Sequence, residues 1–293
     1  MNLSASITKR KIDPADRGSN GRREDTRVLD CARLTVYRFL SLATSNPQSE
    51  RWPRILDPGF QALFRAAVEL IRQHPGACPD RLAHGEIPLE GLDPAPLIGF
   101  LENPKDDFCT AYDRVFGLLI SRECPPYETE YCPQTFSVYR SQHLADIAGF
   151  YRAFGLEPSH KSPERHDHIA LELEFMAWLN TKTLYALEQG DEDNANLCRD
   201  AQVRFFKEHL AWWITAFALA LRKQADGIRD ERDLALPPQS LHGAIGALLA
   251  AFIPAERAIL GVAPPTTLIA VTGDHGAENG LEDCDTCSIL RST

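Results

Sequence analysis

The chain passes from a polar segment into an apolar one at residues 165–176, which read RHDHIALELEFM. Apolar residues then recur at helical spacing, so we predict a helix over Ile169–Glu188. Three polar groups, Asp167, His168 and Glu172, lie at the start of this helix. Because burying such groups is costly unless they find partners, we expect them to form a site, with Asp167 capping the helix.

Helical spacing of apolar residues returns in other segments, whereas strand-like alternation is confined to a short run at 266–271. The longest segment carries a stripe that includes His209, Trp213 and Phe217, which we interpret as core with His209 hydrogen-bonded inside it. The sequence therefore predicts an all-α fold. Besides 169–188, the predicted helices are 29–43, 60–71, 97–119, 134–154, 195–223 and 241–252.

The pattern divides the chain into three parts. Residues 1–26 are polar and without periodicity, so we expect a disordered N-terminal extension. Residues 27–262 are expected to form a single helical-bundle domain, with a proline-rich loop or hinge at 74–96. Residues 263–293 are expected to be a flexible acidic tail that carries a CxxC motif.

The composition narrows the class of partner. The 293 residues carry a net charge of −10, so the chain lacks the basic character of a nucleic-acid binder, and its surface favours basic peptides. We find no uncharged apolar run of about 18 residues, which argues against stable membrane insertion. The pair Arg22-Arg23 is followed by acidic residues and not by an apolar segment, so we expect no secretion signal and a cytoplasmic protein.

A second polar cluster lies in the proline-rich segment 124–133, where Tyr127, Glu128, Glu130 and Tyr131 follow one another closely. Two carboxylates beside aromatic rings can hold an arginine, because an ion pair then combines with stacking on a ring. The alternative interpretation is a surface loop with solvated glutamates.

Metal and redox chemistry give two alternative functions. One is a metal-dependent hydrolase that uses His166, His168 and Glu172, although the second histidine and the general-base glutamate of the zinc-protease helix are missing. The other is a redox-sensing helical scaffold whose Cys284 and Cys287 form a disulfide; these cysteines are also weak candidates for a metal. We find no phosphate-binding loop and no GxSxG motif, so we expect no catalytic residue and no cofactor.

Taken in order, the motifs resemble those of the TorD/DmsD/NarJ family of redox-enzyme maturation chaperones. The resemblance spans about residues 27–255, and the Tyr127-Glu128 segment looks most like chaperones that serve type II members of the dimethyl sulfoxide reductase family. Its motifs are Glu164-x-x-Asp167-His168-Ile169-x-x-Glu172-Leu173-x-Phe175-Met176-x-x-Leu179 and His209-Leu210-x-x-Trp213-x-x-x-Phe217.

The resemblance implies a TorD-like, non-enzymatic chaperone in the cytoplasm. Such a protein binds the apo catalytic subunit of a molybdopterin-dependent oxidoreductase of the dimethyl sulfoxide reductase family, and its twin-arginine signal peptide. It assists cofactor insertion and delays export. On this hypothesis Asp167→Ala or His168→Ala weakens client binding and leaves the fold intact. The residues expected to contact the client or its signal peptide are Tyr127, Glu128, Glu130, Asp167, His168, Glu172, Phe175 and Met176.

Overall fold

The structure, a computed structural model, describes residues 14–117, 123–132, 137–157, 164–229, 233–234 and 236–264. Within these residues there is no strand, and an isolated antiparallel bridge joins Tyr127 to His168. The prediction of an all-α fold is confirmed. The helices are α1 Pro14–Ala43, α2 Pro58–Gln73, α3 Ala95–Glu102, α4 Phe108–Phe116, α5 Ser137–Ala153, α6 Ile169–Glu188, α7 Glu192–Phe205, α8 Ile214–Asp226 and α9 Leu241–Leu260.

The apolar stripes that predict the helices face one common core. α1 packs against α2 and α6, α6 against α7, and α8 against α9. The rings of Phe39 and Phe64, for example, stack with centroids 3.9 Å apart and join α1 to α2. Such burial of apolar side chains is the main force that holds the helices together. The predicted strand-like run at 266–271, together with Cys284 and Cys287, lies outside the described residues.

α1 begins at Pro14, earlier than the expected domain boundary at residue 27. Proline suits the first turn of a helix, because its missing N–H has no helical partner there. Once the buried part of α1 has formed, each further residue adds a backbone hydrogen bond without a new nucleation cost. The polar composition of 14–26 therefore does not end the helix.

The segment 97–119 forms two helices and not the single one that its periodicity predicts. Pro104 follows α3, and a proline disfavours the helical conformation of the residue before it, here Asn103. Asp107 then starts α4 by accepting a hydrogen bond of 3.0 Å from the backbone N–H of Thr110. The single-helix prediction is wrong because the proline and the new cap together divide the segment.

The segment 195–223 is also divided, by the π-helical turn Phe206–Leu210 between α7 and α8. A turn of this kind inserts an extra residue into a helix and changes the direction of the side chains that follow. Here His209 and Trp212 contact the buried carboxylate of Glu128. Trp213 contacts the buried carboxylate of Glu172. The single-helix prediction is wrong because hydrophobic periodicity does not encode this polar requirement.

α9 continues to Leu260, past Pro254 and past the predicted end at residue 252. A proline inside a helix leaves the carbonyl four residues earlier without its partner. That carbonyl belongs to Ala250, and it accepts a hydrogen bond of 2.9 Å from the backbone N–H of Ile87. The predicted end is wrong because a distant loop supplies the missing donor.

Ion pairs fix α9 inside the molecule. Among the described helices it alone is long and apolar enough to cross a membrane, and 78% of its apolar window is buried against other residues of the chain. Its buried Glu256 and Arg257 pair with Arg33 of α1 and with Glu86 of the loop at 74–96. That loop has short helical turns that pack on α9, as its sequence allows, and its role as a hinge stays a prediction.

Candidate functional site

The candidate site begins at His168, the residue before α6. Its Nδ1 accepts a hydrogen bond of 3.1 Å from the backbone N–H of Ala170, so His168 caps the helix. Burial lowers the pKa of His168 to about 4, which keeps the ring neutral and leaves Nδ1 free to accept. The prediction that Asp167 caps α6 is wrong, because its carboxylate binds other donors.

The side chain of Asp167 holds the loop 124–132 against the start of α6. Its carboxylate accepts hydrogen bonds from the backbone N–H and the hydroxyl of Thr129, at 3.1 and 2.7 Å. It also accepts from Nε and Nη2 of Arg165, at 3.0 and 2.8 Å. The backbone N–H of Glu128 donates to the carbonyl of Asp167 at 2.9 Å. The two sequence motifs thus form one structural unit.

The same loop holds an arginine of the chain itself. The guanidinium of Arg165 lies over the ring of Tyr127, 4.3 Å from its centroid, and Nη1 donates to Glu130 at 3.2 Å. Glu130 also accepts from Arg140 at 3.1 Å. The geometry fits the interpretation of an arginine clamp, with Arg165 as its occupant. The alternative of a solvated surface loop is wrong for Glu128, which is fully buried.

Glu128 is the centre of a buried polar network. Its Oε1 accepts from the indole N–H of Trp212 at 2.8 Å and lies 2.7 Å from Nε2 of His143. Its Oε2 lies 3.2 Å from Nδ1 of His209. The hydrogen bond to Glu128 raises the pKa of His143, because it favours the charged ring. The prediction that His209 is a hydrogen-bonded core histidine is confirmed.

Glu172 is buried beside Glu128. Burial, followed by the charge and the hydrogen bond of Glu128, raises the pKa of Glu172 well above its ordinary value. Oε2 of Glu172 accepts from the indole N–H of Trp213 at 3.2 Å, whereas Oε1 faces no donor among the described residues. A proton on Glu172 that is donated to Glu128 would satisfy both carboxyl groups. We therefore expect Glu172 to be a neutral carboxylic acid in the folded protein.

Replacing Glu172 with glutamine tests this protonation. Glutamine keeps an acceptor for Trp213 and a donor for Glu128 but cannot ionise. Folding raises the pKa of this carboxyl above its unfolded value of 4.5. The group therefore stabilises the native state below pH 4.5, and this contribution is lost as the pH rises through the pKa of the folded state. We therefore expect the free energy of unfolding of the wild type, relative to Glu172→Gln, to fall as the pH rises above 4.5.

Urea unfolding of both proteins at a series of pH values measures this difference. Glu172→Ala, which removes the donor and the acceptor, is the control and should be less stable than Glu172→Gln at every pH. A difference between wild type and Glu172→Gln that stays constant with pH would mean that Glu172 ionises like an exposed glutamate.

The structure does not bring the three residues of the hydrolase alternative together. Among the described residues, neither set of three side chains whose metal-binding atoms come within 4.8 Å of one another contains His166, His168 or Glu172. His168 uses Nδ1 to cap α6, and burial raises the pKa of Glu172. The two sets are Glu128–His143–His209 and Asp146–Glu208–His209.

A groove lies beside this network, between α1, α6 and the loop that follows α1. It consists of two cavities of about 580 and 690 Å³, which share Arg51, Glu174 and Trp178 among their lining residues. We call the smaller cavity the acidic part of the groove. Its charged lining residues are Glu50, Arg51, Glu157, Glu164 and Glu174, and its large apolar lining residues are Leu42, Tyr151, Leu156, Leu171, Phe175 and Trp178.

The structure brings the eight predicted contact residues together, but mostly as buried support. Tyr127 and Glu130 are half-buried. His168 and Phe175 line the acidic part of the groove, although both side chains are almost fully covered. The eight predicted residues thus lie under the groove and beside it, and they supply little of the surface that the groove exposes to solvent. The six buried members are Glu128, Asp167, His168, Glu172, Phe175 and Met176.

Four further residues complete the site and escaped the sequence reasoning. His143 and Trp212 bind Glu128, Arg165 binds Asp167, and Glu174 lies where the two cavities meet. Trp212 lies inside the His209–Phe217 motif, and Arg165 and Glu174 lie inside the stretch 165–176. Their positions within these motifs could therefore have pointed to them. His143 is separated from both motifs, and no spacing rule points to it.

Comparisons with known proteins show which proteins this chain is similar to. The model of the nitrate reductase delta subunit family matches residues 93–219, which contain all eight predicted contact residues. A selenate reductase assembly chaperone protein of Thauera selenatis is 33% identical over 92 residues, or 28% of this chain and 47% of the relative. A chlorate reductase assembly chaperone protein of Ideonella dechloratans is 34% identical over 94 residues, with the same two shares.

The chain thus spans about half the length of these two relatives. Both carry the name of an assembly chaperone and not of an enzyme. The matches confirm the resemblance that the Asp167-His168 and His209–Phe217 motifs indicate: the chain is similar to the redox-enzyme maturation chaperones.

Proposed function

We propose that this protein is a cytoplasmic assembly chaperone, without catalytic activity, for the apo catalytic subunit of a molybdopterin-dependent oxidoreductase of the dimethyl sulfoxide reductase family. It binds that subunit and its twin-arginine signal peptide, assists cofactor insertion and delays export. The names of the relatives, which refer to the assembly of a selenate and a chlorate reductase, support the class of client.

The observation that carries the signal-peptide part of the proposal is the acidic part of the groove. A signal peptide offers a basic segment followed by an apolar one. Four glutamates and a row of apolar side chains lie together in this cavity. Such a surface attracts the arginines by charge and accepts the apolar segment by burial.

Glu174 is the glutamate that we expect to meet an incoming arginine. It lies on α6 where both cavities meet, and its present partner is Arg51. The side chains of Arg51 and Glu174 are 58% and 39% exposed. An ion pair with this exposure contributes little, so an arginine of the client can replace Arg51 at small cost.

The buried network gives the eight predicted residues a supporting role in this proposal. His168 caps α6 and Asp167 fixes the loop, so together they set the position of the wall on which Glu174 and Phe175 lie. Asp167 and His168 then act on the client through the position of the groove and not by direct contact.

Charge reversal at Glu174 tests the proposal. We expect Glu174→Lys to weaken binding of the unprocessed catalytic subunit by about tenfold or more, because lysine repels the arginines and also faces Arg51. Glu188→Lys, an exposed change on the same helix, is the matched control and should bind like the wild type. The measurement is the recovery of the subunit with each tagged variant from native cytoplasm in which the oxidoreductase is being made.

The outcomes separate two parts of the proposal. Equal recovery with both variants would contradict the groove as the signal-peptide site and leave the chaperone assignment in place. No recovery of a molybdoenzyme subunit with the wild-type protein would contradict the chaperone assignment itself.

A further inference from the structure

The outer edge of His209 carries an unused donor atom. The side chain of His209 is 1% exposed, and its Nδ1 faces Glu128. Its Nε2 has no hydrogen-bond partner among the described residues. The nearest charged group is the carboxylate of Asp146, whose Oδ2 lies 3.3 Å from Nε2 but outside hydrogen-bond geometry.

A second carboxylate lies at the same place. The π-helical turn places Glu208 next to His209, and α5 brings Asp146 opposite. The metal-binding atoms of Asp146, Glu208 and His209 lie within 4.8 Å of one another. The side chains of Asp146 and Glu208 are 54% and 38% exposed, so this cluster opens to solvent while its histidine does not.

A cation between the three side chains would satisfy all of them. When the ring N–H at Nδ1 is donated to Glu128, the lone pair of Nε2 points toward the carboxylate of Asp146, and a cation between the two atoms removes their repulsion. Histidines that bind a metal commonly donate their other ring N–H to a carboxylate in this way, which fixes the tautomer and the orientation of the ring. Glu128 supplies that second contact here.

We propose that Nε2 of His209 and the carboxylates of Asp146 and Glu208 bind a divalent transition-metal ion. One imidazole and two carboxylates are a ligand set that Zn²⁺ accepts, with water in a fourth position. The site lies apart from the groove, because none of its three ligands lines either cavity.

One neighbouring cation competes for this site. Nε of Arg204 donates to Glu208 at 3.1 Å, one helical turn away. The side chain of Arg204 is 65% exposed, so solvent screens this pair and it contributes little. A divalent ion with three ligands can therefore displace Arg204 from Glu208.

The test is titration of the full-length, untagged protein with Zn²⁺ by isothermal calorimetry. The protein carries Cys284→Ser and Cys287→Ser, so that the thiols of the tail do not bind the ion. We expect one Zn²⁺ per chain, and we expect Asp146→Asn to weaken its affinity by about tenfold or more. Asp200→Asn removes another exposed carboxylate, on α7, and should leave the affinity unchanged.

A second measurement identifies the histidine. The ¹⁵N resonance of Nε2 of His209 should shift on addition of Zn²⁺ in the protein that retains Asp146 and not in Asp146→Asn. Because Asp146 is half-exposed, this variant is expected to fold, and circular dichroism checks it. Absence of saturable binding, equal affinity in Asp146→Asn, or an Nε2 that carries a proton and does not respond to Zn²⁺ would each overturn the proposal.

Discussion

Replacing Glu256 with alanine is expected to lower the free energy of unfolding by about 4 kcal/mol. Glu256 lies on α9 and is fully buried. It accepts hydrogen bonds from Nε of Arg33 at 3.0 and 2.9 Å and from the hydroxyl of Tyr37 at 3.0 Å. Removal of the carboxylate leaves the guanidinium of Arg33, which is 4% exposed, inside the protein without its main counter-charge.

The pKa of Arg33 also depends on Glu256. Burial by itself lowers this pKa, but the charge and the hydrogen bonds of Glu256 more than offset burial and raise it above its ordinary value. Without Glu256 the weaker attraction of Asp30, 3.1 Å from Nη1, is left to oppose burial, and the charged form of Arg33 is destabilised. The cost of the substitution thus comes from the arginine that stays behind.

Two controls separate this cause from a simple loss of packing. Replacing both partners, with Arg33→Met and Glu256→Leu, should cost less than Glu256→Ala, because the buried guanidinium is removed together with its main partner and Asp30 keeps Arg199 at 3.6 Å. Arg51→Ala breaks an exposed ion pair and should cost less than about 1 kcal/mol. Denaturant unfolding measures all three. A Glu256→Ala cost no larger than that of Arg51→Ala would contradict the assignment.

Replacing Asp167 with alanine is expected to cost about 3 kcal/mol. The substitution removes four hydrogen bonds that join Thr129 and Arg165 to a buried carboxylate. The sequence-based expectation that Asp167→Ala leaves the fold intact is therefore replaced by a local loosening of the loop 124–132. Any loss of client binding in this variant then follows from the displaced loop.

Hydrogen exchange distinguishes this local effect from general destabilisation. The backbone N–H of Thr129 donates to the side chain of Asp167, whereas that of Glu128 donates to its backbone carbonyl. Exchange at Thr129 should accelerate more than exchange at Glu128 in Asp167→Ala. Glu130→Ala, at the half-buried edge of the same loop, should cost less in denaturant unfolding. Equal stability of Asp167→Ala and wild type would contradict the role of Asp167.

Hydrophobic periodicity predicted the helices that follow from local chemistry. α6 has the bounds that the sequence predicts, because its apolar stripe and its polar start are both local features. The helix breaks were harder to predict. α9 crosses Pro254 since the N–H of Ile87 reaches the carbonyl of Ala250, and that donor is distant in sequence.

The candidate site divides in the same way. Asp167, His168 and Glu172 stand out because they are polar residues at the start of an apolar helix, and such residues must find partners. Their partners could not be read from the sequence. His143, which binds Glu128, comes from another segment, and Arg165 binds Asp167, two residues further along the chain. Without them the sequence could not tell a buried support from an exposed contact surface.

By itself the sequence determined the all-α class, the position of most helices, the resemblance to redox-enzyme maturation chaperones and the residues at the centre of the site. Each of these depends on residue types at short spacing along the chain. Only the tertiary structure decided that His168 and not Asp167 caps α6, that burial raises the pKa of Glu172, and that an acidic groove lies beside the network. These depend on burial and on charges brought together from distant segments, which no local pattern encodes.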